Sequence, residues 1–448
     1  MNKDYKSKFL KKLIKYVSKK KLRCFYLGNF FNINDKSNSD IDLYINFRTN
    51  SELLLIIINF SKIFGYKICN IIQYEINSFY IIFSLRNRSV INFISIDVCN
   101  NYFFKNRLLL DFKKEIKSEN DKYSNNKINQ ISNLLFFKYY FLKKIMKNDI
   151  NETSLKFLKK IYLSENKKID LFLLSIYNFK EKNNIVKNIK KLNYFFFKKK
   201  SFLLKKKIIS THKIGFFNYI KQIKLIVFRS LNPTGLDIGL LGVDGSGKTT
   251  ILKKISYDFT HNKDGFGFIF RNLKTFHLSF LKLKSANKKT RNPHKKKEYN
   301  ILLSLIKLIY LTIKELIEIF YYRFLKIKSH ILLFDRIFMD ISIDPKRYRI
   351  KDNRFVLFLF RFFGKLFLKE INFIIMDNKD TIYKRSKELN KAVLKKLLAK
   401  YNSIQFIDKS LFIILNKKNL LQKTLFEIKL HIVNHQHKKM LKYIVKYI

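Results

Sequence analysis

Apolar and polar positions change period along the chain, and the changes divide it into regions. From residue 1 to about residue 100, an opening helix precedes short β-like runs. These are Arg23–Leu27, Ile41–Phe47, Lys67–Tyr74, Phe79–Leu85 and Val90–Val98, with a predicted helix over Ser51–Phe64 between them. From about 101 to 230 the pattern is helical and lysine-rich, without strand punctuation. Ile128–Met146 and Ser154–Leu163 carry the helical spacing, and Lys113–Lys127 reads as loop. Pro233 and Gly235 mark an entry turn. From Leu236 the order becomes strand, glycine-rich loop and helix, and later strand–helix alternation, which predicts a mostly parallel α/β sheet. Residues 431–448 read as a basic tail with no clear element. The expected units are therefore 1–100, 101–230, 231–430 and the tail 431–448.

Composition changes this picture in one respect. At 448 residues, 47% of them apolar, the chain has material for two or three cores. Its net charge is +59, from 92 Lys and Arg against 33 Asp and Glu. Such a balance suits nucleic acid or an anionic membrane surface. The same surplus of Lys, Ile, Asn and Phe, with no Trp and few Gly or Pro, is also what A+T-rich codons produce, and it would leave solvated lysines on the surface.

Cys24, Cys69 and Cys99 have neither metal-site spacing nor the even count of a disulfide framework. The first 21 residues alternate Lys with apolar residues, which predicts an amphipathic helix and not a signal peptide. Ile301–Phe324 and Phe355–Phe367 are the most apolar stretches. Charges at Lys307, Lys314, Glu315 and Glu318 interrupt the first, and Arg361 and Lys365 the second, so neither offers the ~20 apolar residues of a spanning helix. The cytoplasm is the default compartment.

The most specific signal is Gly242-Val243-Asp244-Gly245-Ser246-Gly247-Lys248-Thr249-Thr250, a full match to G-x-x-x-x-G-K-[ST]. A short apolar run, Leu236–Leu241, precedes it, and Ile251–Ile255 begins a helix after it. The context is the one this phosphate-binding motif requires. Glycines let successive backbone N–H groups point inward as a nest, and the helix N-terminus adds partial positive charge. Lys248 is expected to reach the β- and γ-phosphates of ATP, and the Thr249 hydroxyl to ligate Mg²⁺.

A second apolar run, Ile331–Phe334, ends in Asp335-Arg336. Carboxyl ends of parallel strands are where such sheets hold ligands. Asp335 there suits metal or its water, and Arg336 suits phosphate. The glycine loop, the strand and Asp-Arg together resemble the thymidylate kinase family. The resemblance covers roughly residues 235–415. It implies that Asp244 contacts the acceptor's sugar and that Arg336 holds its phosphate.

The likeness is closer to a divergent branch, often encoded near surface-polysaccharide genes, with a motif like F-D-R-Y-x-x-D-x-x-x-D-P-x-R-Y-R. Here it stands as Phe334-Asp335-Arg336-Ile337-Phe338-Met339-Asp340-Ile341-Ser342-Ile343-Asp344-Pro345-Lys346-Arg347-Tyr348-Arg349. Phe276-His277-Leu278 and Asn292-Pro293-His294 also resemble that branch, and Phe373–Asp377 looks like the next strand. Tyr383–Leu389 stands in the place of the family's lid, where Arg385 would clamp the transferring phosphoryl group. Ile337 replaces an aromatic, and no equivalent of the residues that hold thymidylate is seen, so the acceptor stays open. His277 and His294 read as ordinary surface or capping histidines.

In the first region, Tyr26-Leu27-Gly28-Asn29 ends one strand and Ser39-Asp40-Ile41-Asp42 begins another. Asp40 and Asp42, two residues apart, share a strand face. Asp97 lies in the apolar run Ile94–Val98. Three carboxylates converging from two strands suit Mg²⁺ ions on a triphosphate. The order resembles the nucleotidyltransferase superfamily of DNA polymerase β over about residues 5–100, with Asn29 in place of a serine.

The expected architecture is thus α/β: a P-loop parallel-sheet kinase domain, preceded by an α+β nucleotidyltransferase-like domain and a helical connector. The expected activity is ATP- and Mg²⁺-dependent phosphoryl transfer to a nucleotide or nucleoside-like acceptor. Two other readings compete. One is a nucleotidyltransferase with a regulatory ATP-binding domain. The other, less favoured, is a basic nucleic-acid or membrane-surface protein carried by lysine runs such as Lys198–Lys200 and Lys295–Lys297.

Overall fold

The computed structural model describes residues 4–27, 40–87, 90–118, 131–212, 214–260, 270, 272–277, 294, 297–386, 389–416 and 420–448. Gly28, Asn29, Ser39, Leu278, Asn292 and Pro293 lie outside the described residues.

Helix α1 (Asp4–Lys19) leads into a mixed sheet made of β1 (Cys24–Tyr26), β2 (Ile41–Ile45), β3 (Lys67–Glu75), β4 (Ser78–Asn87) and β5 (Val90–Cys99). Helix α2 (Asn50–Phe64) lies between β2 and β3 in sequence; the Thr49 hydroxyl caps its first turn, and Gly65, at φ +69°, ends it. Strand order is β1-β2-β5-β4-β3, with only β2 and β5 parallel. Alternation along β2 and β5 sends Ile41, Leu43, Ile96 and Val98 into a core with α1 and α2.

The sequence predicts no strands between about 101 and 230, yet a hairpin opens that region: β6 (Tyr102–Phe104) and β7 (Arg107–Leu110). Runs of three and four residues are too short to show a period. Part of the predicted loop 113–127 is likewise helix, α3 (Phe112–Ser118), seated by the buried Phe112 and Ile116. Helices α4 (Asn133–Lys147), α5 (Glu152–Leu174), α6 (Phe179–Lys190) and α7 (Tyr194–Thr211) form a second core. Phe25, Leu27, Tyr44 and Cys99 of the first sheet belong to that core, so this region packs on the first sheet and is more than a connector. Helix α8 (Phe216–Leu231) then leads to the third region.

There β8 (Leu236–Leu241), β9 (Asn272–His277), β10 (His330–Asp335), β11 (Ile371–Met376) and β12 (Leu411–Leu415) make a five-stranded sheet in the order β12-β11-β8-β10-β9. Every pairing in it is parallel. The intervening helices are α9 (Lys248–Thr260), α10 (Ile301–Ile327), α11 (Met339–Ile343), α12 (Arg354–Leu366), α13 (Lys379–Ser386) and α14 (Lys391–Ser403). The mixed α/β class and the parallel sheet match expectation.

The expected basic tail is corrected. Residues 431–448 continue α15 (Leu421–Tyr447), a 27-residue helix. Its first half joins the parallel sheet's core through Leu425, Ile428, Ile432 and Val433. Its second half inserts Met440, Tyr443 and Ile444 into the first core. Lysines between the apolar positions gave the segment a tail-like composition while its helical spacing remained intact. No described helix is long and apolar enough to cross a membrane.

Candidate active site

The glycine loop runs from the carboxyl end of the central strand β8 to the first turn of α9. Gly242 has φ +139°, and a Cβ there would meet the Ile375 carbonyl oxygen at 2.5 Å. Gly247 has φ +97°, and a Cβ there would collide with the Asn416 side-chain amide. Both positions therefore exclude side chains on conformation and on space. The Lys248 Nζ is buried and turned back onto its own loop, donating to the carbonyl oxygens of Gly242 at 2.6 Å and Val243 at 2.8 Å. Burial pulls its pKa down to about 7, and the Arg336 charge adds to the fall. The buried Ser246 hydroxyl has no hydrogen-bond partner among the described residues. Thr249 and Thr250 are exposed at the start of α9.

Asp335 ends β10, the strand beside β8, and Arg336 directly follows it. Arg336 adopts φ +71°, unusual for a side-chain-bearing residue, and its amide donates to the Leu240 carbonyl at 3.0 Å. Its guanidinium is ion-paired with Asp244. Arg347, from the turn after α11, pairs with the other oxygen of the same carboxylate. Asp244 is thus the hub that brings two arginines from one sequence motif over the loop.

Asp340 and Asp344 brace this motif from below. Asp340 is fully buried, accepting from the Ile337 amide at 3.2 Å and the Tyr401 hydroxyl at 2.7 Å. Burial raises its pKa, and the charges of Arg336 and Lys248 act against that rise. Asp344 accepts from the Arg347 amide at 3.4 Å and faces His294 Nε2 at 3.4 Å. Burial raises Asp344 as well, with His294 opposing. His294 is therefore an internal partner of the motif and not the surface histidine expected.

On the loop's other side, Arg385 of α13 donates to the Gly245 carbonyl at 3.2 Å and pairs with Asp377 at 2.9 Å. Sequence reasoning missed Asn416. Its Nδ2 donates to the Ser246 carbonyl at 2.8 Å, and its own amide donates to the Met376 carbonyl at 2.7 Å. The available signal was position: Asn416 directly follows β12, at the carboxyl end of a parallel strand.

The carboxylates of the first sheet form a separate group. Asp42 lies directly opposite Asp97 in the β2–β5 register. The Lys143 Nζ of α4 donates to Asp42 Oδ2 at 2.6 Å and stands 4.0 Å from Asp97 Oδ2. Asp40 accepts from the Tyr80 hydroxyl at 3.0 Å and from Ser95. Among the described residues, no three acidic, histidine or cysteine side chains are grouped so as to hold a metal ion.

The third region is a parallel α/β unit with a glycine loop at its central strand. No protein-family model matches the chain, and no curated protein does. Among solved structures, the chain is similar to thymidylate kinase from Candida albicans, at 14% identity over 45% of this chain and 93% of that one, with a TM-score of 0.33. Thymidylate kinase from Ehrlichia chaffeensis is 16% identical over 44% of this chain and 98% of its own, with a TM-score of 0.30. Deoxyadenosine kinase from M. mycoides with bound dATP is 14% identical over 44% and 99%, with a TM-score of 0.29. These overlaps are loose, so the function rests on the loop and its neighbours.

Proposed function

We propose that residues 231–430 catalyse Mg²⁺-dependent transfer of the γ-phosphoryl group of ATP to a nucleotide or nucleoside-like acceptor. The observation that supports this reading is the convergence of Lys248, Arg336, Arg347 and Arg385 on one glycine loop. Four basic side chains around a nest of backbone N–H groups suit a triphosphate donor and a second anionic substrate. The unpartnered Ser246 hydroxyl and the close packing at Gly247 fit phosphate oxygens seated against the loop.

The roles follow from position. On binding, Lys248 exchanges two loop carbonyls for phosphate oxygens. The Thr249 hydroxyl and the Asp335 carboxylate would hold Mg²⁺ through oxygen, and the ion would supply charge neutralisation on the bound triphosphate. Asp244 holds Arg336 and Arg347 toward the acceptor. Arg385 lies over the loop, placed to stabilise charge on the transferring group. The acceptor oxygen forms a bond to the γ-phosphorus as the bond from that phosphorus to the β–γ bridging oxygen breaks and ADP leaves; a hydroxyl acceptor also releases its proton to solvent.

ADP formation is measured with ATP, Mg²⁺ and a panel of nucleosides, nucleotides and phosphosugars. One acceptor should raise turnover well above background, and Lys248→Ala should abolish the increase. ATP binding with no acceptor-dependent turnover across the panel would instead favour a regulatory ATP-binding domain.

A further inference from the structure

The polar face of the first sheet was expected to gather carboxylates around a divalent cation. Register alone places them well. Asp42 pairs with Asp97 across parallel strands, and Tyr80 of β4 pairs with Asp97 from the other side. Alternate residues of the same strands fill the apolar core on the opposite face. The polar band is therefore a deliberate break in an otherwise apolar sheet.

What meets that band is α4. Leu135, Phe137, Phe141, Leu142, Ile145 and Met146 bury it in the second core. One turn apart on its sheet-facing side stand Tyr139 and Lys143. The Lys143 ammonium donates to Asp42 Oδ2 at 2.6 Å and to the Tyr139 hydroxyl at 3.0 Å, with Asp97 Oδ2 4.0 Å away. Its side chain is only 15% exposed. Asp97 in turn accepts from the Ser78 hydroxyl at 3.3 Å. Asp40, the third acid, is taken by Tyr80 and Ser95.

We propose that Lys143 is a built-in cation standing where a divalent metal would otherwise sit, so that the Asp42–Asp97 pair docks α4 onto the sheet and does not bind metal. Two negative charges facing each other in a partly buried site need a counter-charge. The ammonium supplies it, with three donor protons for the acceptors around it. A metal ion entering the same space would meet that ammonium at close range, where like charges repel strongly in a poorly solvated site.

The test uses the full chain without nucleotide and Mn²⁺ as the probe, with free Mn²⁺ followed by electron paramagnetic resonance. The unmodified protein should hold no Mn²⁺ that Asp42→Asn removes. Lys143→Ala should gain one Mn²⁺ per chain, lost again when Asp42→Asn is added. Lys143→Ala should also melt lower by roughly 5–10 °C, as expected for a broken buried pair, and recover part of the loss with Mn²⁺. Lys143→Met provides the same comparison if the alanine variant does not fold. Stoichiometric Mn²⁺ on the unmodified protein that Asp42→Asn abolishes would overturn the proposal, as would a Lys143→Ala variant that melts like the parent and gains no Mn²⁺.

Discussion

The side-chain amide of Asn416 donates to the backbone carbonyl of Ser246 at 2.8 Å across 170 residues of sequence. Through this bond the strand order β12-β11-β8 fixes the glycine loop, because Asn416 leaves β12 two strands away from β8. Asn416→Ala would leave the Ser246 carbonyl without that donor and open space beside Gly247. A lost buried hydrogen bond costs ~1–2 kcal/mol, which weakens ATP binding by roughly 5- to 30-fold. Calorimetric titration with ATP checks this. An unchanged affinity would mean that the loop is held by its own backbone alone.

The Asp244 carboxylate separates donor from acceptor effects. It touches Arg336 and Arg347 but not Lys248 in the described contacts. Asp244→Ala should therefore release both arginines, raise the acceptor KM and lower kcat/KM by roughly ten- to a hundredfold, in keeping with ~1.5–3 kcal/mol for losing partly buried hydrogen bonds between charged groups. ATP affinity should shift by less than about threefold, a difference of under ~0.7 kcal/mol. Steady-state kinetics in both substrates distinguishes the two. An ATP affinity that falls in parallel with acceptor use would place Asp244 in the donor site.

The sequence made the local parts of this site legible and hid the distant ones. Leu236–Leu241, the glycine loop and the start of α9 are contiguous, so apolar run, glycines and Lys248 could be read as one motif. Asp335 and Arg336 were visible because they stand at a strand's end. Asn416 and Lys143 were not, because their partners are brought near only by strand order and helix packing. The hairpin at 102–110 escaped because its strands are too short for a period. The second half of α15 escaped because lysines between Ile432, Met440 and Ile444 outweighed their spacing.

The buried Lys248 makes nucleotide binding depend on pH. In the ligand-free fold its pKa is lowered to about 7 from 10.5, first by burial. Between those values the unfolded chain holds a proton that the folded one has released, so stability from this group rises with pH across about 7 to 10.5. Below about pH 7 the full cost of a buried charge is present. Phosphates restore the charged form, so ATP binding above pH 7 must take up a proton. Affinity should then fall by up to about tenfold per pH unit between 7.5 and 9. Titrations at pH 8 in two buffers of different ionisation enthalpy should show uptake approaching one proton. Uptake of none, with a flat pH profile, would show that Lys248 is already charged in the empty loop.

The end of α15 bears on stability and not on chemistry. Met440, Tyr443 and Ile444 are buried in the first sheet's core, and the Tyr447 hydroxyl donates to Gln73 at 2.7 Å while accepting from Asn50 at 2.9 Å. The same helix supplies Lys439, which pairs with Glu370 at 2.8 Å beside the start of β11. One element thus belongs to the core of the first sheet and to that of the parallel sheet. Ile444→Ala should cost ~2–4 kcal/mol, the usual range for emptying a buried aliphatic site. Lys442→Ala, exposed on the same helix, should stay within ~0.5 kcal/mol. Urea unfolding followed by near-ultraviolet circular dichroism tests both. The first core should be lost at lower urea in Ile444→Ala, while the transition of the parallel sheet moves less if the two cores unfold separately. Equal, small effects from both substitutions would return residues 431–448 to the status of a dispensable basic tail.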